Sequence, residues 1–256
     1  GRNRVRTLIG RSDPDQQAAT WQLALSQELQ KPKEEQEWDK IDAMMDSIAE
    51  TKQLTEAGRK LLRAELLLMR KEYDESRRLL QMAYEEEPDQ LSVQRAAVRL
   101  LRQDPEQGPA KALRFLDERV IQRFGDSPAL RAEKADLLMA INDPNLRDQL
   151  MELSEGIEEW SPDQQIQLWY ALAARFYALN LRDDAKAAWA TVADLSPNDL
   201  PTRVKLFTMA HDEHDDPAMV AAQERILEVV RDKNDSTYLF TEARRMFSQM
   251  RRGQLG

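Results

Sequence analysis

Three Ser-Pro dipeptides recur along the chain at a nearly constant spacing. They occupy residues 127–128, 161–162 and 196–197, at intervals of 34 and 35 residues. Asp-Pro dipeptides alternate with them, at residues 104–105, 143–144 and 216–217. Ser and Asp oxygens accept hydrogen bonds from the free amides of a first helical turn, and a proline there removes no N–H that the helix would use. The spacing therefore predicts two alternating helix starts with the period that is typical of helix–turn–helix repeats.

The segments between these prolines carry apolar residues at the spacing of amphipathic helices. The pattern is clearest in residues 166–199, which form two short helical segments and a proline-marked turn. Long runs with the strand signature are absent. With 32% charged residues, 41% hydrophobic residues and eight glycines, the composition is that of a helix-rich globular protein. The sequence therefore predicts an all-α fold of about 13 helices.

Residues 166–199 resemble the tetratricopeptide repeat (TPR). The family's large, small and proline positions are matched by Trp169, Leu172, Ala173, Phe176, Ala185 and Pro197. Residues 57–90 are similar, with Ala64, Tyr73, Ser76, Ala83 and Pro88 at the corresponding positions. The resemblance implies a right-handed α-solenoid, because no helix pair of this kind buries its apolar face alone and neighbouring pairs must stack.

The predicted domain organisation follows from this period. Residues 1–13 are expected to form a basic linker or irregular N-terminus, and residues 14–251 the solenoid. Its approximate repeats are 14–53, 54–90, 91–127, 128–161, 162–199 and 200–235, with a closing helix at 236–251. Repeat 91–127 carries a short insertion relative to the others. Since the sequence does not begin with Met, we expect a fragment or a processed product of a longer chain.

Composition excludes several classes of function. The net charge of −9 makes nucleic acid a poor partner for the chain as a whole. The absence of cysteine excludes disulfides, thiolate metal sites and cysteine nucleophiles. No run of about 18 apolar residues occurs, so we expect no membrane span. A soluble protein of the cytoplasm and one of the periplasm are both compatible with these features.

Arg95, Arg99 and Arg102 are the first candidates for partner binding. Their i, i+4, i+7 spacing places them on one helix face. In the family resembled, that face of the first helix lines the concave groove. Arginine pairs bidentately with carboxylates, so the three residues are predicted to clamp an acidic segment or a chain terminus. The alternative is a solvated face that is paired with local Glu and Asp residues.

Gln167, Tyr170 and Tyr177 fall at the groove positions of the clearest repeat. Amphipathic aromatic side chains supply contact area at low entropic cost and are enriched in binding hot spots. They are therefore predicted to contact a partner. In the alternative interpretation, the tyrosine rings cover the neighbouring helix and only their hydroxyl groups meet water.

His211 and His214 are the two histidines of the chain, and four acidic residues lie among them. Histidine and carboxylate side chains can ligate a divalent metal ion. The segment also fits an exposed acidic loop between two helices, which is the interpretation we adopt. No metal and no other cofactor is expected.

Sequence motifs for catalysis are missing. The chain has no Gly-rich phosphate loop, no HExxH and no GxSxG. We therefore predict a non-catalytic scaffold that holds a protein or peptide in its concave surface. Two alternatives stay open: a structural spacer or self-associating segment of a larger repeat protein, and a helical accessory domain of an enzyme whose catalytic part lies elsewhere.

Overall fold

A computed structural model of the protein describes residues 24–28, 30–51, 54–103 and 108–251. Within these ranges every regular element is helical. Successive helices pack as helix–turn–helix pairs, so the prediction of an all-α fold of TPR-like pairs is confirmed. The helices belong to two compact units that divide between Phe124 and Gly125. The predicted basic segment 1–13 and the Asp104-Pro105 helix start lie outside the described residues.

Within the described ranges, the first unit contains five helices of eight or more residues. They are α1 (Trp38–Thr51), α2 (Glu56–Met69), α3 (Tyr73–Glu86), α4 (Leu91–Leu101) and α5 (Gly108–Phe115). α2 and α3 form an antiparallel pair, α4 packs against both, and α5 packs along α4. A 3₁₀ turn at Lys33–Glu35 precedes α1.

Small residues set the distance between α2 and α3. Ala64 and Ala83 are buried in the shared core with Leu61. The hydroxyl of the buried Ser76 donates to the carbonyl of Ala64 over 2.7 Å, so this polar group is satisfied where the helices meet. The packing roles implied for these small positions are confirmed. Tyr73, by contrast, is 40% exposed at the start of α3.

The stretch after α4 is irregular. α5 continues through a π-helical turn at Leu116–Ile121 into the short helix Gln122–Phe124. A π-helical turn accommodates extra residues inside a helix. It lies in the repeat for which the sequence predicts a short insertion. Leu116 and Val120 are fully buried on the inner side of this turn.

Gly108 lets the start of α5 approach the end of α4 closely. A Cβ atom at this position would stand 2.6 Å from the carbonyl oxygen of Arg102 and 2.7 Å from that of Leu101. Both are backbone atoms and cannot rotate away. We expect Gly108→Ala to lower the free energy of unfolding by about 1–3 kcal/mol, measured by urea denaturation. Gly58→Ala is the control, because its Cβ would meet nothing closer than 3.4 Å. Equal stability of the two variants would contradict the prediction.

The second unit contains three further pairs and a last helix. These are α6 (Pro128–Ile141), α7 (Leu146–Glu152), α8 (Pro162–Ala178), α9 (Arg182–Leu195), α10 (Leu200–Asp212), α11 (Asp216–Val230) and α12 (Ser236–Arg251). α8 packs against α6 and α9, α9 packs against α10, and α12 packs against α10 and α11. Each helix pair thus packs against the next pair along the chain, and α12 packs on the last pair.

The core of the pair α8–α9 uses the residues that the resemblance assigns to packing. Leu172, Ala173 and Phe176 on α8 are fully buried, as is Ala185 on α9. Trp189 is 4% exposed. The packing roles implied for Leu172, Ala173, Phe176 and Ala185 are confirmed, whereas Trp169 is only half-buried. Because small residues face large ones, the two helix backbones approach closely while the aromatic rings fill the remaining volume.

Two of the three Ser-Pro pairs begin helices as predicted. The hydroxyl of Ser127 accepts from the amide of Leu130, and that of Ser161 accepts from the amide of Gln164 in a capping box. The prediction is wrong for Ser196, which lies at the C-terminal end of α9. The carboxylate of Asp199 caps α10 instead, accepting from the amide of Thr202. In the same way Asp215, not Asp216, caps α11.

The helix start predicted at Asp143-Pro144 is also wrong, because α7 begins at Leu146, after the N-cap Asn145, and it ends at Glu152. The guanidinium of Arg131 on α6 donates to the carbonyls of Leu153 and Glu155, 2.6 Å away in each case. Gly156 follows in the left-handed region, with φ 68°. A charged donor from another helix satisfies these carbonyls, and the glycine turns the chain without steric cost.

Candidate functional site

The predicted arginine clamp lies on and beside α4. Arg99 pairs with the carboxylate of Glu65 on α2. Arg102 is exposed at the residue that ends α4, and Arg95 is half-buried. The charge of Arg99 is therefore already balanced, as in the alternative interpretation of a face paired with local acids. A role for the three residues in partner binding stays a prediction.

Tyr177 in the last turn of α8 is flanked by two cations. The ammonium nitrogen of Lys205, on α10, lies 3.5 Å from the centre of its ring. The guanidinium carbon of Arg182, the first residue of α9, lies 4.3 Å from the same centre. The negative face of an aromatic ring attracts such cations, so the ring holds both of them in place. Three helices thus contribute to one small, positively charged surface.

Neither cation is neutralised by a carboxylate within the ranges that the structure describes. Arg182 donates through Nε to the side-chain oxygen of Asn180 over 2.9 Å, which is a neutral acceptor. Lys205 is half-buried and contacts the ring of Tyr177. Both side chains are half-buried, so water screens their charges only in part.

Tyr170 lies two turns before Tyr177 on the same helix. Its ring meets the ring of Trp189 edge to face, with centroids 4.5 Å apart. Trp189 is buried, whereas Tyr170 is 43% exposed. The ring therefore both covers the neighbouring helix and presents apolar area to solvent. Gln167, one turn earlier, is exposed.

We call these residues the α8 face, defined by Gln167, Tyr170, Tyr177, Arg182 and Lys205. Its scaffold is rigid on the side of α6. Arg175 of α8 donates to the carboxylate of Asp136 over 2.9 Å and to the carbonyl of Ala132 over 3.0 Å. These bonds fix α8 against α6, so the exposed side chains of the α8 face project from a fixed backbone.

Sequence reasoning finds the three residues of this face that belong to α8 and misses Lys205 and Arg182. Residues on one helix share a face by their spacing alone. Lys205 and Arg182 come from other helices, and only the packing of α8 against α9 and of α9 against α10 brings them beside Tyr177. The one signal in the sequence is the cation at the start of α9, where an acidic residue would suit the helix dipole better.

His211 and His214 do not form a metal centre in the described residues. The ring of His211 lies over Phe207 with centroids 6.5 Å apart, and its Nδ1 is 3.5 Å from a carboxylate oxygen of Asp212. His214 has φ 58° just after α10, and its Nδ1 is 3.1 Å from the carbonyl oxygen of His211. Across the described ranges, no group of three or more His, Asp or Glu residues could hold a metal ion.

A membrane-spanning helix is likewise absent from the part of the chain that the structure describes. None of the helices there combines the length and the apolar character needed to cross a bilayer.

Comparison with known proteins gives a fold-level likeness only. No family model matches the sequence, and no curated protein matches it. Six solved chains are similar in structure. One is YrrB, described as a TPR protein with an unusual peptide-binding site. It is 13% identical, its TM-score is 0.39, and the match covers 78% of this chain and 97% of that one.

Proposed function

We propose that this protein is a non-catalytic scaffold that binds an acidic segment of a partner protein on the α8 face. The observation that carries the proposal is the pair of cations, Lys205 and Arg182, held against the ring of Tyr177 without a carboxylate partner in the described residues. An arrangement of this kind suits a carboxylate that approaches from outside.

Each group of the α8 face supplies a different part of the recognition. Lys205 and Arg182 form charge-assisted hydrogen bonds with a carboxylate, each contributing about 1.5–3 kcal/mol when water is displaced. Tyr170 and Tyr177 supply apolar contact area, and their side chains lose little rotamer entropy on binding. Gln167 can donate to and accept from the peptide backbone.

Helical scaffolding keeps this surface preorganised. Because the backbones of α8, α9 and α10 are held by a buried core, binding does not have to order them. The main cost is the desolvation of the two cations, and part of it is already met in the unbound chain because both side chains are half-buried. We therefore expect an affinity in the micromolar range that falls as salt concentration rises.

Selection from a random peptide library on the full chain tests the proposal. We expect the bound peptides to be enriched in Asp and Glu. For a selected peptide, Lys205→Glu should weaken binding at least about tenfold in fluorescence anisotropy, since a carboxylate replaces the attracting charge with a repelling one.

Lys233→Glu is the matched control. Lys233 is exposed in the turn before α12 and lies outside the α8 face, so the same change of net charge should leave the peptide affinity nearly unchanged. The proposal is wrong if the selected peptides show no acidic preference, or if the two variants weaken binding equally.

A further inference from the structure

α12 turns its apolar side outward. Its solvent-facing residues are Leu239, Phe240, Ala243, Met246, Phe247 and Met250. The five large ones are between 45% and 66% exposed, with Phe247 the most exposed. Scattered apolar residues are common on protein surfaces, whereas a continuous stripe of this length marks an interaction site. We call this stripe the α12 face.

The inner side of the same helix is polar. Thr241 is fully buried and Ser248 is 9% exposed, and both lie on the side of α12 that packs on α10 and α11. Arg245 donates through Nε to the side-chain oxygen of the buried Gln223 on α11 over 3.0 Å. A surface helix normally shows the opposite arrangement. The outward orientation is thus supported by the polar contact of Arg245 with Gln223 and by the burial of Thr241 and Ser248 beneath the helix.

Charges on the two edges of the α12 face differ in sign. At about 100° per residue, Arg244 falls on one edge and Glu242 on the other. The guanidinium carbon of Arg244 lies 5.4 Å from the centre of the Phe240 ring, which places this charge at the border of the stripe. One border is therefore basic and the opposite border is acidic.

The edges of one α12 helix are complementary in charge to the edges of a second copy only when the two helices run in the same direction. When two copies of a helix pair in parallel about a twofold axis, the left edge of each meets the right edge of the other. Arg244 of one copy then faces Glu242 of the second copy. In an antiparallel pair, equal edges would meet and like charges would repel.

We infer that a second copy of this chain covers the α12 face, through a parallel pairing of the two α12 helices. The apolar stripe supplies the attraction, and Arg244 with Glu242 sets the orientation. Because a single helix per subunit is buried, the dimer is expected to dissociate in the micromolar range. The pairing does not use any residue of the α8 face, so each subunit keeps its proposed peptide site.

Sedimentation velocity of the full chain over a range of concentrations tests for the dimer. Wild type should shift from monomer to dimer as its concentration rises. Phe247→Asp should remain monomeric throughout, because it places a charge at the most exposed apolar residue of the stripe. Met151→Asp, at an exposed position of α7, is the control and should dimerise like wild type. A monomeric wild type, or a dimer that survives Phe247→Asp with unchanged circular dichroism, overturns the inference.

Orientation is tested by cross-linking, since the chain contains no cysteine. In a parallel pair, Leu239→Cys places the two new thiols opposite one another and should give a disulfide-linked dimer on mild oxidation. In an antiparallel pair residue 239 would face residue 250, and the two introduced thiols would lie about 16 Å apart, beyond the reach of a disulfide. Ala140→Cys, exposed on α6, is the control and should not cross-link. Absence of cross-linking at Leu239→Cys overturns the parallel pairing.

Discussion

Replacing Phe176 by alanine is expected to lower the free energy of unfolding by about 3–5 kcal/mol. Phe176 lies on α8, is fully buried, and is among the largest fully buried side chains of the described core. Its removal loses both the transfer free energy of the ring and the contacts of the side chains around it. Ala173 and Ala185, which are too small to expand into the vacated volume, are buried in the same pair of helices.

Urea denaturation followed by circular dichroism measures this change. Val220→Ala is the control, because Val220 is 39% exposed on α11 and its truncation removes little buried area. All variants are compared at one protein concentration, since dimerisation would make stability depend on it. A loss below about 1 kcal/mol for Phe176→Ala would mean that α8 can repack around the missing ring.

The packing of the helix pairs could be predicted from the sequence because the residues that carry it lie close together along the chain. Ala64, Ala173 and Ala185 mark the points where two helices approach, and the structure buries all three. Each belongs to a periodic series in which large residues recur around the small one. In these helix pairs, such a series is enough to indicate the buried side of each helix.

Helix ends were harder to predict, since a Ser-Pro dipeptide occurs both at the start of a helix and just after the end of one. A proline is favoured in the first turn of a helix and also just after a helix has ended. Ser161 and Ser196 both precede proline, yet the first caps α8 and the second ends α9. Asp199, three residues after Ser196, provides the cap of α10. The amide of Ser196 donates to the carbonyl of Val192, so this serine still belongs to the end of α9.

The two proposed binding surfaces also combine a part that the sequence predicts with a part that it does not. Spacing on α8 placed Tyr170 and Tyr177 on one side of the helix, but Lys205 joins them from α10 through tertiary packing. For α12 the period identifies an apolar side and does not say which way it faces. Arg245 orients it through its hydrogen bond to Gln223 of the preceding pair, and that contact cannot be read from the sequence of α12.

Arg131 is the clearest case of a long-range contact that determines local structure, and Arg131→Ala is expected to destabilise the protein by about 2–4 kcal/mol. Its side chain is 16% exposed and reaches the carbonyls of Leu153 and Glu155 after α7. It also pairs with Asp126 at 2.6 Å and lies over the ring of Trp160, 4.7 Å from its centre. Alanine would leave two carbonyls and one carboxylate without their donor.

Hydrogen exchange measures where along the chain the loss of stability in Arg131→Ala occurs. In Arg131→Ala the amides of residues 153–160 should lose protection before those of α8, because this side chain holds two carbonyls of the turn. Arg131→Lys should recover only part of the stability, since an ammonium group cannot contact two carbonyls and a carboxylate in the geometry of a planar guanidinium.

Arg78→Ala is the control, because it removes one positive charge without removing a hydrogen-bond network like that of Arg131. Arg78 pairs with Glu75 one turn away on α3, and both side chains are exposed. Exposed pairs of this kind contribute little, so its removal should leave stability unchanged within error. If Arg131→Ala were equally harmless, the end of α7 would have to be set by Gly156 and the buried Ile157, and the turn would form without its guanidinium.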